Sequence, residues 1–213
     1  MKNQNHPYAV PDSQGLYDPR NERDACGIGF IASIKGEKSH DIIEKGIEIL
    51  LNLSHRGASG CDPVTGDGAG VLIQIPHAFF AGECGRLGFA LPQPGEYGIG
   101  MLFLPVERHQ RLICEGIVER VVREEGLRVL GWRDTPLAAD AIGRIARASQ
   151  PYIEQVFVGC NPGMDPQALE RKLYVIRKRA EVEVAKSEVR DKSFFYIPSL
   201  SSRTIVYKGL LQA

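Results

Sequence analysis

Apolar residues along this chain recur with two periods, and the order in which those periods alternate limits the folds it can adopt. Short apolar runs at 71–75, 98–104, 127–132, 153–158, 194–197 and 204–207, bounded by Gly, Pro or polar residues, predict strands. Three other stretches carry apolar residues at helical spacing: Ile42, Ile43, Ile47, Leu50 and Leu51; Leu112, Ile113, Ile117, Val121 and Val122; and Leu169, Leu173, Ile176 and Ala180. Asp41 followed by Glu44 gives the first an acceptable capping pattern, Gly126 ends the second, and Pro166 suits the first turn of the third. The third helix also carries Arg171, Lys172, Arg177, Lys178 and Arg179 offset by Glu170, Glu181 and Glu183, which read as a solvated face. Strands, a helix and strands again, each sheet face needing a cover, fit a layered α+β domain. Residues 76–97, with Pro76, Pro92 and Pro94, read mainly as loop carrying Phe79 and Phe80 as core anchors. A short helix is expected within 138–148, and the polar link at 199–202 predicts that the last two strands form a hairpin.

A further strand is predicted over 26–34, in the stretch that begins Asp24-Ala25-Cys26-Gly27-Ile28-Gly29-Phe30-Ile31. Residues 1–25 ahead of it hold Pro7, Pro11 and Pro19 and only scattered apolar positions, a composition that builds no core element. They read either as an ordinary mobile terminus or as a pro-segment. Cys26 has two readings as well. A small buried strand cysteine is one. The other is a nucleophile: cleavage between Ala25 and Cys26 would give the thiol a neighbouring α-amine, whose reference pKa of roughly 7.7–8.0 suits a general base near neutral pH.

Two loops bear on that choice. Asn52-Leu53-Ser54-His55-Arg56-Gly57-Ala58 delivers Arg56 to a loop after the first helix. Its guanidinium is either a solvated charge or a planar fork that positions a carboxylate or amide, and His55 reads as a structural hydrogen-bonding residue. The second, Asp62-Pro63-Val64-Thr65-Gly66-Asp67-Gly68-Ala69-Gly70, is not a phosphate loop, because no Gly-Lys-Ser/Thr follows, and its acidic spacing fails the calcium-loop pattern. It predicts a tight turn feeding the 71–75 strand, which would pair with the first strand and set the turn beside Cys26. Asp67 is then either a group supporting the thiol's surroundings or a simple turn aspartate.

Composition excludes several classes of function. Lys+Arg and Asp+Glu number 26 each, so no net charge draws the chain to nucleic acid or an anionic membrane. No apolar run approaches the ~20 residues that span a bilayer. Five widely separated cysteines without a Cys-x-x-Cys pair suggest free thiols in a reducing compartment, and no disulfide framework, zinc site or iron–sulfur site. The length favours one domain.

The Cys26, Arg56 and Asp67 stretches, together with Phe194-Phe195-Tyr196-Ile197 and residues 199–209, closely resemble the amino end of the glutamate synthase large-subunit family, at its class II glutamine amidotransferase domain. The resemblance implies a four-layer αββα sandwich of the N-terminal nucleophile hydrolase type, incomplete at its C-terminal side. It divides the chain into a leader, 1–25, removed to expose Cys26, and the amidotransferase part, 26–213. It also implies glutamine as substrate, Cys26 and Arg56 as catalytic residues with Arg56 also contacting substrate, Asp67 in support, and ammonia passed on for glutamate synthesis from 2-oxoglutarate. FMN and an iron–sulfur cluster would belong to other regions of the enzyme. The implied partners are the remainder of the large subunit and an electron donor, in the cytoplasm or, in a photosynthetic eukaryote, the plastid stroma. The family's oxyanion Asn–Gly pair, the arginine of its His-Ser-Arg-Phe-Ser stretch and its substrate-binding aspartate all follow the position of Ala213. The alternative is therefore a catalytically inactive fragment with at most an interaction or regulatory role.

Overall fold

The computed structural model describes residues 15, 27–54, 65, 66 and 68–209. Helix α1 (His40–Asn52) is followed by β1 (Ala69–Gln74), α2 (His77–Arg86), β2 (Tyr97–Leu104), α3 (Arg108–Glu124) and β3 (Arg128–Asp134). A 3-10 turn (Ala139–Ala141) and the short α4 (Arg144–Ala148) lead to β4 (Tyr152–Gly159), α5 (Pro166–Lys186), β5 (Tyr196–Ser201) and β6 (Thr204–Gly209). Strands β3-β4-β2-β5 form one antiparallel sheet, and β1 and β6 form a separate antiparallel pair.

Alternation along β4 sets the layers, because successive side chains on a strand point to opposite faces. Val156 and Val158 face α3 and α5, whose Val118, Val121, Leu169, Leu173 and Ile176 complete one core. Phe157 faces the opposite way, into a second core shared with Phe80 and Cys84 of α2 and with Ile205 of β6. Helix α1 lies against β1. Helices α3 and α5, the four-stranded sheet and the β1–β6 ribbon thus stack in that order, an α+β arrangement with antiparallel sheets, as expected.

The elements predicted with a strong period are present. The α5 stripe Leu169, Leu173, Ile176 and Ala180 is fully buried, and Asp165 caps the helix by accepting from the Ala168 amide at 2.8 Å, just before Pro166. Its charged residues do more than face solvent, since several tie α5 to α3. Arg179 bonds Glu124 and Glu125, Arg120 bonds Glu183, and Lys172 donates to the Glu125 carbonyl at 2.6 Å.

Several expectations are corrected. Residues 27–39 form no strand, and Ile28, Phe30 and Ile34 are exposed instead of buried. Gly27 and Gly29 face α1: a Cβ on Gly29 would lie 2.4 Å from Ile49 Cγ2, and one on Gly27 2.8 Å from Leu53 Cδ2. The alternation is real, but among the described residues no strand pairs with the segment and nothing covers its other side. Helix α1 itself buries no residue, with Ile47 and Leu51 exposed, so its apolar face does not reach a core. Strand β1 pairs with β6 rather than with the first segment, and β5 and β6, expected as a hairpin, lie in different sheets. Ser201 and Ser199 explain the last point: Ser201 Oγ accepts from the amides of Arg203 and Thr204, and Ser199 Oγ accepts from that of Val206, so hydroxyls meet the backbone where a hairpin ladder would have done so. Finally, 77–86 is helical, although Gly82 and Gly85 argue against it, because Phe80 and Cys84, four residues apart, are both fully buried. Phe79 is half exposed, so only one of the two predicted anchors serves the core.

Candidate active site

A cleft of about 950 Å³ opens between the N-terminal segment with α1, the β1–β6 ribbon and the connection from β3 to β4. Gly27, Leu50 and Leu53 form one side, residues 68–72 with Val206, Lys208 and Gly209 the second, and residues of 136–151 the third, over Phe103 and Ile153. The lining is chiefly apolar side chain and glycine backbone. Lys208 is its charged member among the described residues, with Nζ 4.3 Å from the centre of the Tyr196 ring. Apolar lining lowers the local dielectric and strengthens electrostatic interactions made against it.

The glycine-rich stretch is built for this wall. Gly68 has φ +131°, a conformation that L side chains rarely adopt. At Gly70 a Cβ would lie 2.7 Å from both Tyr207 O and Lys208 Cβ, so only glycine lets β1 close on β6 here. Upstream, Thr65 is buried, and its hydroxyl accepts from the Ala146 amide at 3.4 Å, fastening this stretch to α4.

The sequence-predicted residues Cys26, Arg56 and Asp67, with His55, lie outside the described residues. Their neighbours in the chain do not. Gly27 directly follows Cys26, Gly68 directly follows Asp67, and Leu53 stands three positions before Arg56; all three line the one cleft. The sequence predicts that the turn stands beside the cysteine segment through strand pairing. The two share a cleft instead, and β6 is the strand that pairs with β1.

Sequence reasoning missed the third wall. Residues 136–151 read in the sequence as a connection with a short helix, and their signal is modest: Pro136 and Pro151 at the ends, with Ala138, Ala141 and Ala146 between, small residues that let backbone approach a cavity. The base of this connection is tied by the Thr135 amide donating to Ile153 O at 3.1 Å and by the Tyr152 hydroxyl donating to Asp134 Oδ1 at 2.8 Å.

Cys84, Cys114 and Cys160 are free and buried. Burial pushes the thiols of Cys84 and Cys114 up to about 11 and raises that of Cys160, whose Sγ–H donates to Glu96 O. These three remain thiols at neutral pH and pack as small hydrophobes. Among the described residues, no three His, Cys, Asp or Glu side chains come together in a group that could hold a metal ion.

The model of the class-II glutamine amidotransferase family matches residues 26–213. The glutamate synthase [NADPH] large chain of Bacillus subtilis is 47% identical over 203 residues, 95% of this chain and 13% of that protein. The corresponding large chain of Azospirillum brasilense is 41% identical over 96% of this chain, and ferredoxin-dependent glutamate synthase 2 of Synechocystis 40% over 90%. The chain thus spans 12–13% of the length of these relatives. With the family match beginning at Cys26 and covering every wall of the cleft, this chain belongs to the class-II glutamine amidotransferases.

Proposed function

We propose that this chain is the glutaminase part of a glutamate synthase, hydrolysing glutamine to glutamate and ammonia through an N-terminal Cys26. The supporting observation is that Gly27 next to Cys26, Gly68 next to Asp67 and Leu53 three positions before Arg56 line one apolar cleft. In this reading residues 1–25 are removed, and the Cys26 α-amine takes the thiol proton. The thiolate adds to the side-chain amide carbon of glutamine, the C–N bond breaks as ammonia leaves with a proton, and water cleaves the γ-glutamyl thioester to return the thiol. Arg56 holds the substrate through its planar fork, and Asp67 supports the site from the glycine-rich wall.

The ammonia feeds glutamate synthesis from 2-oxoglutarate elsewhere in the enzyme, and the remainder of the large subunit is the principal partner. Two features support that assignment. The glutamate synthase relatives extend far beyond the matched region, and Ile28, Phe30 and Ile34 present an apolar surface that further polypeptide would cover. In this reading FMN and an iron–sulfur cluster belong to that remainder, with electrons from a separate donor. The described cysteines do not fit a cluster, since among the described residues no three Cys, His, Asp or Glu side chains come together in a group that could hold a metal ion.

Arg56→Lys tests the site in the full-length protein. It keeps the charge and loses the bidentate fork, and glutamine turnover should fall about 10-fold or more, of order 1.4 kcal/mol in the barrier. Unchanged steady-state kinetics would return Arg56 to the role of a solvated loop charge.

A further inference from the structure

Glu154 is buried on β4, only 8% exposed, and its Oε2 has no hydrogen-bond partner. The groups facing it explain why. Glu115 of α3 and Asp134 of β3 act on it directly, Tyr152 stands two residues before it on β4, Arg111 and Glu119 of α3 act on Glu115, and β2 presents Leu102 across the ladder. The available donors are engaged elsewhere. Arg111 stacks 3.7 Å over the Tyr152 ring and pairs with Glu115 at 3.5 Å, the Tyr152 hydroxyl donates to Asp134, and Trp132 Nε1 donates to Glu119 at 2.9 Å. Glu154 therefore meets the carboxylates of Glu115 and Asp134, acceptors facing an acceptor. A buried carboxylate in that setting is unfavourable, and a carboxylic acid there is a donor with two acceptors in reach.

We propose that Glu154, Glu115 and Asp134 form a proton-dependent latch at the base of the 135–151 connection. The protonated Glu154 carboxyl donates to its neighbours and holds α3, β3 and β4 together, and loss of the proton loosens the segment that walls the cleft. Asp134 and Tyr152 stand at the two ends of that segment, so a charge arriving between them acts directly on its anchor. Burial first, then the Glu115 charge, pushes Glu154 up to about 8, and burial also raises Glu115. The sign follows. From the ordinary carboxyl range, about 4.3 for Glu, to about 8, the folded chain keeps a proton that the unfolded chain has lost. Stability therefore declines with rising pH through that window and levels off above it. This titration and loop motion need no substrate and are independent of the amidotransferase reading.

Trp132, the single tryptophan of the chain, borders the cluster and reports on it. Its fluorescence, and amide hydrogen exchange across 135–151 corrected for the intrinsic pH dependence, should be followed in the 213-residue chain from roughly pH 6 to 9.5. The expected result is a transition centred near pH 8, with exchange in 135–151 accelerating about 10-fold across it. Glu154→Gln keeps a donor and cannot ionise, so the transition should vanish while protection stays. Glu115→Gln removes the neighbouring charge and should move the midpoint to lower pH. A chain without the transition, or one whose transition survives in Glu154→Gln, overturns the latch. Should Glu154→Gln fail to fold, an unchanged midpoint in Glu115→Gln overturns it equally.

Discussion

Replacing Cys26 by alanine in the full-length protein is expected to abolish ammonia release from glutamine, a loss of about 10³-fold or more, while leaving the fold intact. The size follows from the role. A nucleophile that forms the covalent intermediate shares its step with the base that activates it, and losing either removes nearly all of the chemical acceleration. No other described thiol can substitute, since burial pushes Cys84 and Cys114 up to about 11 and Cys160 donates to the Glu96 carbonyl. The fold should tolerate the change because Cys26 precedes both described cores, whose buried members begin at Ile75. Glutaminase assay with circular dichroism on the same samples separates the two effects. Retained ammonia release would mean that the covalent route through Cys26 is wrong.

Phe157→Ala is expected to produce the largest loss of stability among single core truncations on the inner sheet face, about 3–5 kcal/mol. Phe157 is fully buried on β4, the strand between β3 and β2, and its ring meets Phe80 of α2 at 5.6 Å in an edge-to-face contact and Phe89 at 5.5 Å. Phe89 in turn lies over Gly131, where a Cβ would come within 2.5 Å of its ring. Truncation would leave a cavity shared by α2, the chain after it and the four-stranded sheet, and rigid backbone on two sides limits its collapse. Urea unfolding of the 213-residue chain measures the change. A loss below about 1 kcal/mol would show that α2 repacks freely and is not fixed by this ring.

How much of this is legible in the sequence depends on whether an element's partners lie near it in the chain or far away. Helix α5 can be read almost to the residue, since Pro166 marks its start and the Leu169, Leu173, Ile176 and Ala180 stripe is a local property. Strands β2, β3 and β4 are legible for the same reason. Pairing is not. The choice of β6 as the partner of β1, which sets Gln74 opposite Thr204 and Ala69 opposite Gly209, is made by the second core and by the serine hydroxyls of β5, and neither leaves a periodic mark. Helix α2 is hidden by its glycines and revealed only by the burial of Phe80 and Cys84. The motif residues Cys26, Arg56 and Asp67 stand out from their local context, whereas the 136–151 wall of small residues can be assigned to the cleft only once the chain is folded around it.

The intact mass of catalytically active protein decides whether Cys26 works with its own α-amine. Glutaminase activity should accompany a polypeptide beginning at Cys26, with the mass of residues 1–25 gone. Full activity from protein that still carries residues 1–25 would contradict it, because the cysteine nitrogen would then be an amide without basicity and the proton would need another acceptor.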